Sequence, residues 1–486
     1  MKRLKLLILL LCLSCAISAQ ESLQNYILTR QMLNETGNSY IANISYFDGL
    51  GRQFQTVQKS VKNGVKTGNN LATLQEYDNA GRETNAWLPI VLSGDYTAPA
   101  TFKSNASGNY GNDSRPYNQT AYESSPLNRV AQQYGPGAAW YSAGRAVKTE
   151  YLTNTTSSPL NCINYSVSAA GTPINNGNYP AGQLYVVKST DEDMNISYTF
   201  TDKLDRTVLT RQMKGSEAHD TYYVYDDFNN LRFVLQPMYQ SNTSLDLYAF
   251  QYKYDGHRNC IYKKMPGAQY IEYTYDNADR LTFSQDGNQR AVSTTISSQK
   301  WTYYMYDNLG RLTQQGECTG KNVSSNQTVL VQNYYDSYSF LGTTGFPTAT
   351  YTAGNTNGKG YLTGSVATVL GSSNTKIYKA FYYDIKGQVV KSIQNNLLNG
   401  YDITSTVYTF SGKPATVTHT HTANGKTTRT EVYTYTYDHV DRISKVQHTL
   451  GGTTVTLYDA TYDKFGRLYQ KRHHVSYHKS LHMPTV

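Results

Sequence analysis

The sequence predicts an all-β protein, and three observations predict it. Tyrosine supplies 46 of the 486 residues, against 13 Phe and 3 Trp. Charged residues make up only 16%, below the roughly 25% of an average globular chain. A short turn-like motif also recurs along most of the length. Tyr, Thr and Val favour pleated surfaces, while Gly, Asn and Ser favour turns. This aromatic content excludes a charge-rich disordered chain.

Residues 1–19 read as an export signal. Lys2, Arg3 and Lys5 precede the apolar run Leu6 to Leu13, then Ser14, Cys15, Ala16, Ser18 and Ala19, then Gln20. That order matches a secretory leader, and the run is shorter than the ~20 apolar residues a bilayer requires. Cleavage after Ala19 is the expected event. Leu13-Ser14-Cys15 resembles the end of a lipobox, but Cys12 stands where Leu belongs. No second apolar segment follows, so the mature chain is expected to have no transmembrane segment and to be exported.

Net charge is +9, falling to +6 without the leader, with no dense Lys/Arg run beyond Lys471-Arg472. A nucleic-acid partner is not indicated. Of the remaining cysteines, Cys162, Cys260 and Cys318 are widely spaced with no Cys-x-x-Cys pair, so neither zinc nor redox chemistry is indicated.

The motif is Asp-x-x-Gly/Asp-Arg/Gln, present eight times. Its positions are Asp48/Gly51/Arg52, Asp78/Gly81/Arg82, Asp202/Asp205/Arg206, Asp276/Asp279/Arg280, Asp307/Gly310/Arg311, Asp384/Gly387 with Gln388, Asp438/Asp441/Arg442 and Asp463/Gly466/Arg467. Looser copies run from Tyr225-Asp226 to Arg232 and from Tyr254-Asp255 to Arg258. An aromatic residue precedes the Asp in seven of the eight, and alternating rings such as Tyr433/Tyr435/Tyr437 precede it further back. Period two places those rings on one face of a strand. Asp then opens a type I turn, with its carboxylate available to backbone N–H groups ahead. Gly or Asp at the fourth position suits a left-handed residue, and together these make a hairpin loop with a bulge. Tyrosine ladders suit a thin curved wall with solvent on both sides.

The repeated Tyr-Asp-x-x-Gly-Arg resembles that of the Rhs or YD-repeat proteins, over about residues 40 to 470. Tyr46 to Arg52, Tyr122 to Arg129 with Pro136-Gly137 and Trp140, and Pro266-Gly267 resemble the exported Bacteroidetes-type branch. There, an N-terminal domain of unassigned function precedes the repeats. The resemblance implies a β-sheet ribbon that spirals into a hollow shell, which encloses an effector in complete polymorphic toxins. The family's core carries an Asp-Pro-x-Gly self-cleavage motif. This sequence has no Asp-Pro dipeptide and stops nineteen residues after Arg467, so a truncated end is expected and neither toxicity nor autoproteolysis carries over.

The expected organisation is a leader (1–19), an N-terminal β domain (20–150), a polar linker or insertion (151–183), a YD-repeat sheet (184–471) and an irregular tail (472–486). Chemistry is sparse. There is no G-x-S-x-G, H-E-x-x-H or phosphate loop. His419 and His421 could share a strand face but lack a matching third ligand. A non-catalytic wall segment without cofactor or metal is therefore expected, forming an open arc. Its expected partner is the remainder of an Rhs-type protein, or another chain pairing at the C-terminal edge near Tyr462 to Lys471. The alternative is a surface module that holds a glycan or a protein on its tyrosine-rich faces.

Overall fold

The computed structural model describes residues 24–33, 37–352, 357–371 and 375–473. The leader, Cys15 and nearly all of the tail lie outside the described residues. Within them the chain is all-β. A single sheet of 29 strands runs from Asn25–Met32 to Leu468–His473. Each strand pairs antiparallel with the next in sequence, so the ribbon is a meander of hairpins.

The exception lies in 151–183, which does not run as a linker. Strand Ala146–Thr153 ends inside it and pairs directly with Tyr185–Thr190. Between them, Ile163–Val167 and Pro173–Asn178 form a separate hairpin. Cys162 and Leu184, at its two flanks, are buried against the main sheet. Of the two readings the polar composition offered, linker or insertion, the chain takes the second, and a few apolar residues suffice to fasten it.

Register explains the core. Ile44, Val57, Ala72 and Ile90 face one another across four strands. A longer line runs Val186, Phe200, Leu209, Tyr222, Leu235 and Ala249. Followed from strand to strand, the buried clusters all fall on one face of the sheet. Excursions from the ribbon cover that face. Helix α1 (Pro99–Asn109) buries Phe102 and Ala106 over the first cluster. The 154–184 insertion and the turn Pro237–Gln240, with Tyr239, cover the second. Phe340, Phe346 and Tyr351 cover another. The wall is thus not wet on both sides throughout, as the tyrosine content suggested. Each fully buried Leu, Ile or Phe adds about 1.5–3 kcal/mol relative to exposure.

One buried ion pair fastens the insertion. Arg211 donates from Nε and Nη2 to the two carboxylate oxygens of Asp220 at 2.7 and 2.6 Å. Its Nη1 donates to the carbonyl of Pro159 at 2.5 Å and to Asn161 Oδ1 at 3.1 Å. The Tyr222 hydroxyl donates to the same carboxylate at 3.1 Å. Every donor of the guanidinium fork that is engaged meets an oxygen, the condition under which burying such a charge is tolerable. Cys162, Cys260 and Cys318 are free thiols, and burial pushes the Cys162 thiol up to about 12.

Candidate functional site: the rim of repeated turns

In a meander, alternate turns lie on the same long rim. All eight motif turns follow alternate strands and therefore line one rim of the ribbon. Their geometry is uniform. The Asp N–H donates to the carbonyl of the residue four further on, and the N–H of the fourth turn residue donates back to the Asp carbonyl, at 2.9–3.1 Å throughout. At Asp307, Oδ1 accepts the backbone N–H of Leu309 and of Arg311, both at 2.9 Å. Oδ2 accepts Arg311 Nε at 2.7 Å. Asp48, Asp78, Asp202, Asp276, Asp438 and Asp463 repeat all three contacts with Arg52, Arg82, Arg206, Arg280, Arg442 and Arg467. Asp384 keeps the backbone pair only, with Gln388 in the arginine position.

The fourth residue is left-handed in every copy. Gly51, Gly81, Gly310, Gly387 and Gly466 have φ of 77–82°, and Asp205, Asp279 and Asp441 have 58–64°. The opening carboxyls of Asp48, Asp78, Asp202, Asp276, Asp307, Asp438 and Asp463 are held below the usual range. For Asp48 the leading cause is the Arg52 backbone N–H, and for Asp276 it is the Arg280 side chain.

The arginine also reaches the next hairpin. Arg52 lies over the ring of Tyr77 at 4.6 Å, Arg82 over Tyr122 at 4.5 Å, Arg206 over Tyr225 at 5.0 Å, Arg280 over Tyr306 at 5.1 Å and Arg442 over Tyr462 at 4.2 Å. These are cation–π distances. Most of these tyrosines then close the contact with their hydroxyl. Tyr77 donates to the Gln53 carbonyl at 2.8 Å, Tyr306 to Leu281 at 2.9 Å and Tyr462 to Ile443 at 2.9 Å. The accepting residue follows the arginine that covers the ring. This is what Tyr adds over Phe where a motif arginine precedes: the ring receives the guanidinium and the hydroxyl ties it to the backbone of the preceding hairpin. Phe47 stands in the first copy, which no motif arginine precedes. Arg467, in the last described turn, lies over its own Phe465 at 5.1 Å.

Several turns of the same geometry escape the motif. Asp191, Asp226 and Asp255 carry Asn195, Asn230 and Asn259 in the arginine position, with the amide donating to Oδ2 at 2.8–3.2 Å. Asparagine four residues after Asp was the available signal. Arg258 does not act as the motif arginine; it occupies the left-handed position with φ of 71°. Arg232 sits two residues beyond the arginine position and donates to the Tyr252 carbonyl. Tyr335-Asp336 also opens a motif-like turn, but the chain leaves for 25 residues before Tyr361 closes it. There Arg311 binds Asp336 through both terminal nitrogens, at 3.1 and 2.5 Å, and this pairing leads in holding the Asp336 carboxyl near 2.

His419 and His421 share a face, but each has its own partner. His419 Nδ1 lies 3.0 Å from Thr404 Oγ1 and His421 Nδ1 lies 2.5 Å from Asp402 Oδ1. Among the described residues no group of three or more His, Cys, Asp or Glu is placed to hold a metal. No helix among them is long and apolar enough to cross a membrane. A groove of about 720 Å³ lies along strands Ala249–Tyr254, Cys260–Lys264 and Ile271–Tyr275, near His257 and Asp279. Its rings are engaged: Tyr262 and Tyr270 stack at 4.9 Å, with Lys253 over one and Arg290 over the other.

Residues 20–153 match the family model described as a domain of unknown function, DUF6443. A search of curated protein sequences returns no match. Among solved structures, the chain is similar to one of the Photorhabdus luminescens Tc holotoxin pore at 13% identity and a TM-score of 0.35, covering 93% of this chain and 23% of that one. It is also similar to the TcdB2–TccC3 complex without its hypervariable C-terminal region, at 14% identity and a TM-score of 0.36, covering 96% and 24%. The chain spans about a quarter of the length of the solved chains it matches.

Proposed function

We propose that this chain is an exported, non-catalytic wall segment of an Rhs-type shell. The observation that carries the reading is how its chemistry-bearing side chains are used. The motif aspartates accept N–H groups of their own turn, the arginines brace the next hairpin, and the tyrosine hydroxyls bind backbone carbonyls. A set so consumed builds a surface and leaves none of these groups poised for bond-making. The DUF6443 match at 20–153 supports the N-terminal domain of unassigned function that the Bacteroidetes-type resemblance implies. The engaged faces of Tyr262 and Tyr270 favour a structural ladder over a glycan platform.

Expression of the full chain with its leader, followed by fractionation, N-terminal mass spectrometry and growth measurement, tests this. The expected result is an exported chain starting at Gln20 with unaltered growth. An intact Met1 in the cytoplasm, or growth arrest, would overturn it. Lipid on Cys15 would replace release by anchoring.

A further inference from the structure

The tips of the turns on this rim, the similar turns at Asp226–Asn229 and Thr409–Gly412 included, carry a feature that the wall reading does not require. Phe228, Leu309, Val440 and Phe465 occupy the third turn position, and Ile385 and Phe410 the second of theirs. All are exposed, from 54% at Phe465 to 97% at Phe410. Single exposed apolar residues need no explanation, but a row along one edge does. Ile385, Phe410, Val440 and Phe465 stand on consecutive turns of this rim, each two strands from the next and hence about 10 Å apart, with Leu309 and Phe228 further back along it.

We infer that this rim is an interaction surface whose occupant is a second copy of this chain, rim against rim. Spacing supports that occupant, because apolar teeth at a two-strand period are matched by another rim of the same period. Over the same stretch the opposite rim offers a shorter apolar row, Leu370, Leu397 and Leu398, flanked by the polar turns 320–321, 422–428 and 451–452. Charge supports it as well. Like charges facing one another across a self-contact are costly. Here Asp307, Asp438 and Asp463 are neutralised within their own turns by Arg311, Arg442 and Arg467 at 2.6–2.8 Å. Between two tips, Lys386 folds over the Phe410 ring at 4.8 Å and donates to its carbonyl at 3.1 Å, so its stem adds to the apolar strip. A rim without a concentrated positive charge is poorly suited to an anionic bilayer. This contact is distinct from pairing along strand Leu468–His473.

Sedimentation of the full chain over a wide concentration range tests the inference. The expected result is a concentration-dependent dimer that the triple variant Leu309→Ser, Phe410→Ser, Phe465→Ser converts to monomer with unchanged far-UV dichroism. A single Phe410→Lys, at a nearly fully exposed position, should weaken the dimer by setting like charges against each other without touching the fold. The double variant Leu397→Ser, Leu398→Ser on the opposite rim should leave the dimer intact. A wild-type monomer at every concentration, a dimer that survives the triple variant, or dissociation caused by the opposite-rim variant would each overturn the inference. So would a monomer that floats with phosphatidylglycerol-containing vesicles.

Discussion

Two stretches of one ribbon share their turns and differ in everything behind them. In strands from Tyr185–Thr190 to Ala249–Tyr254, the inward line is Val186, Phe200, Leu209, Tyr222, Leu235 and Ala249, all buried under the insertion and the Pro237–Gln240 turn. In strands from Tyr401–Tyr408 to Leu468–His473 the corresponding line is Ser405, Thr418, Val432 and Thr449. Beyond Tyr401 and Ile403, which pack against the Phe340–Tyr351 cover, no excursion among the described residues covers these strands, and only Ala460 in them is buried. Yet Asp202 and Asp463 make the same bonds to Arg206 and Arg467. The turn therefore specifies where the chain reverses, while the cover specifies where a core forms. Local chemistry alone builds the ribbon; long-range packing thickens part of it.

The largest expected difference between the covered parts of the ribbon and the uncovered one appears in alkali. Tyr46 and Tyr165 are pushed up to about 12 by burial first and by neighbouring ionisable groups second, and Tyr338 and Tyr382 to about 12 in the same way. All four lie in or against the covered clusters. A phenol whose folded value exceeds its unfolded value of about 10 contributes stability that is intact below pH 10 and lost as pH rises through 12. Each covered cluster carries at least one such group, so each should lose stability in that window, read as a rise in tyrosinate absorbance. Hydrogen exchange should show the strands from 401 to 473 lacking this transition. Simultaneous loss of both stretches at pH 10 would dissolve the distinction.

A core deletion should separate them next. Leu209→Ala removes a fully buried side chain between Phe200 and Tyr222 and should cost about 2–5 kcal/mol. Val432→Ala, between Thr418 and Thr449 on the same face, should cost well under half of that, because water already reaches the site. Denaturant unfolding with exchange as a local probe checks both, since a long array need not unfold in one step. Equal losses would mean that the uncovered ribbon has a core of its own.

Much of this was legible in the sequence for a definite reason. The hairpin rim is written in contiguous residues: Asp opens the turn, Gly or Asp takes the left-handed position, and Arg returns to the carboxylate, all within five positions. What was not legible depends on residues far apart. The fastening of 154–184 needs Arg211 to meet Pro159 and Asn161, some fifty positions away. The brace from Arg311 to Tyr335 links hairpins 24 residues apart, and no spacing rule within one motif reveals it. The reading of tyrosine as a residue for a wall wet on both sides does not hold for the covered parts, for the same reason. Tyr46, Tyr222 and Tyr382 are fully buried because their hydroxyls reach the Asp95 carbonyl, the Asp220 carboxylate and the Tyr351 carbonyl.

The smallest effect is the most local, and it tests whether the turns really are alike along the rim, inside the uncovered stretch and outside it. At Gly310 a Cβ would meet no atom within 4 Å, so the cost of a side chain is that of the left-handed backbone alone. Gly310→Val should therefore destabilise by about 1–2 kcal/mol plus an increment for β-branching, and Gly310→Asp by less, as Asp205, Asp279 and Asp441 already hold φ of 58–64°. At Gly466 a Cβ would stand 2.9 Å from Arg442 Nη1, which lies at the end of a flexible side chain that also covers Tyr462. Gly466→Val should thus lose the same backbone amount and also loosen the brace to the preceding hairpin. Thermal midpoints of the four Val and Asp variants decide it. If Val and Asp prove equal at Gly310, the left-handed turn is not what selects glycine there. If Gly310→Val and Gly466→Val prove equal, the arginine brace adds nothing at the uncovered end.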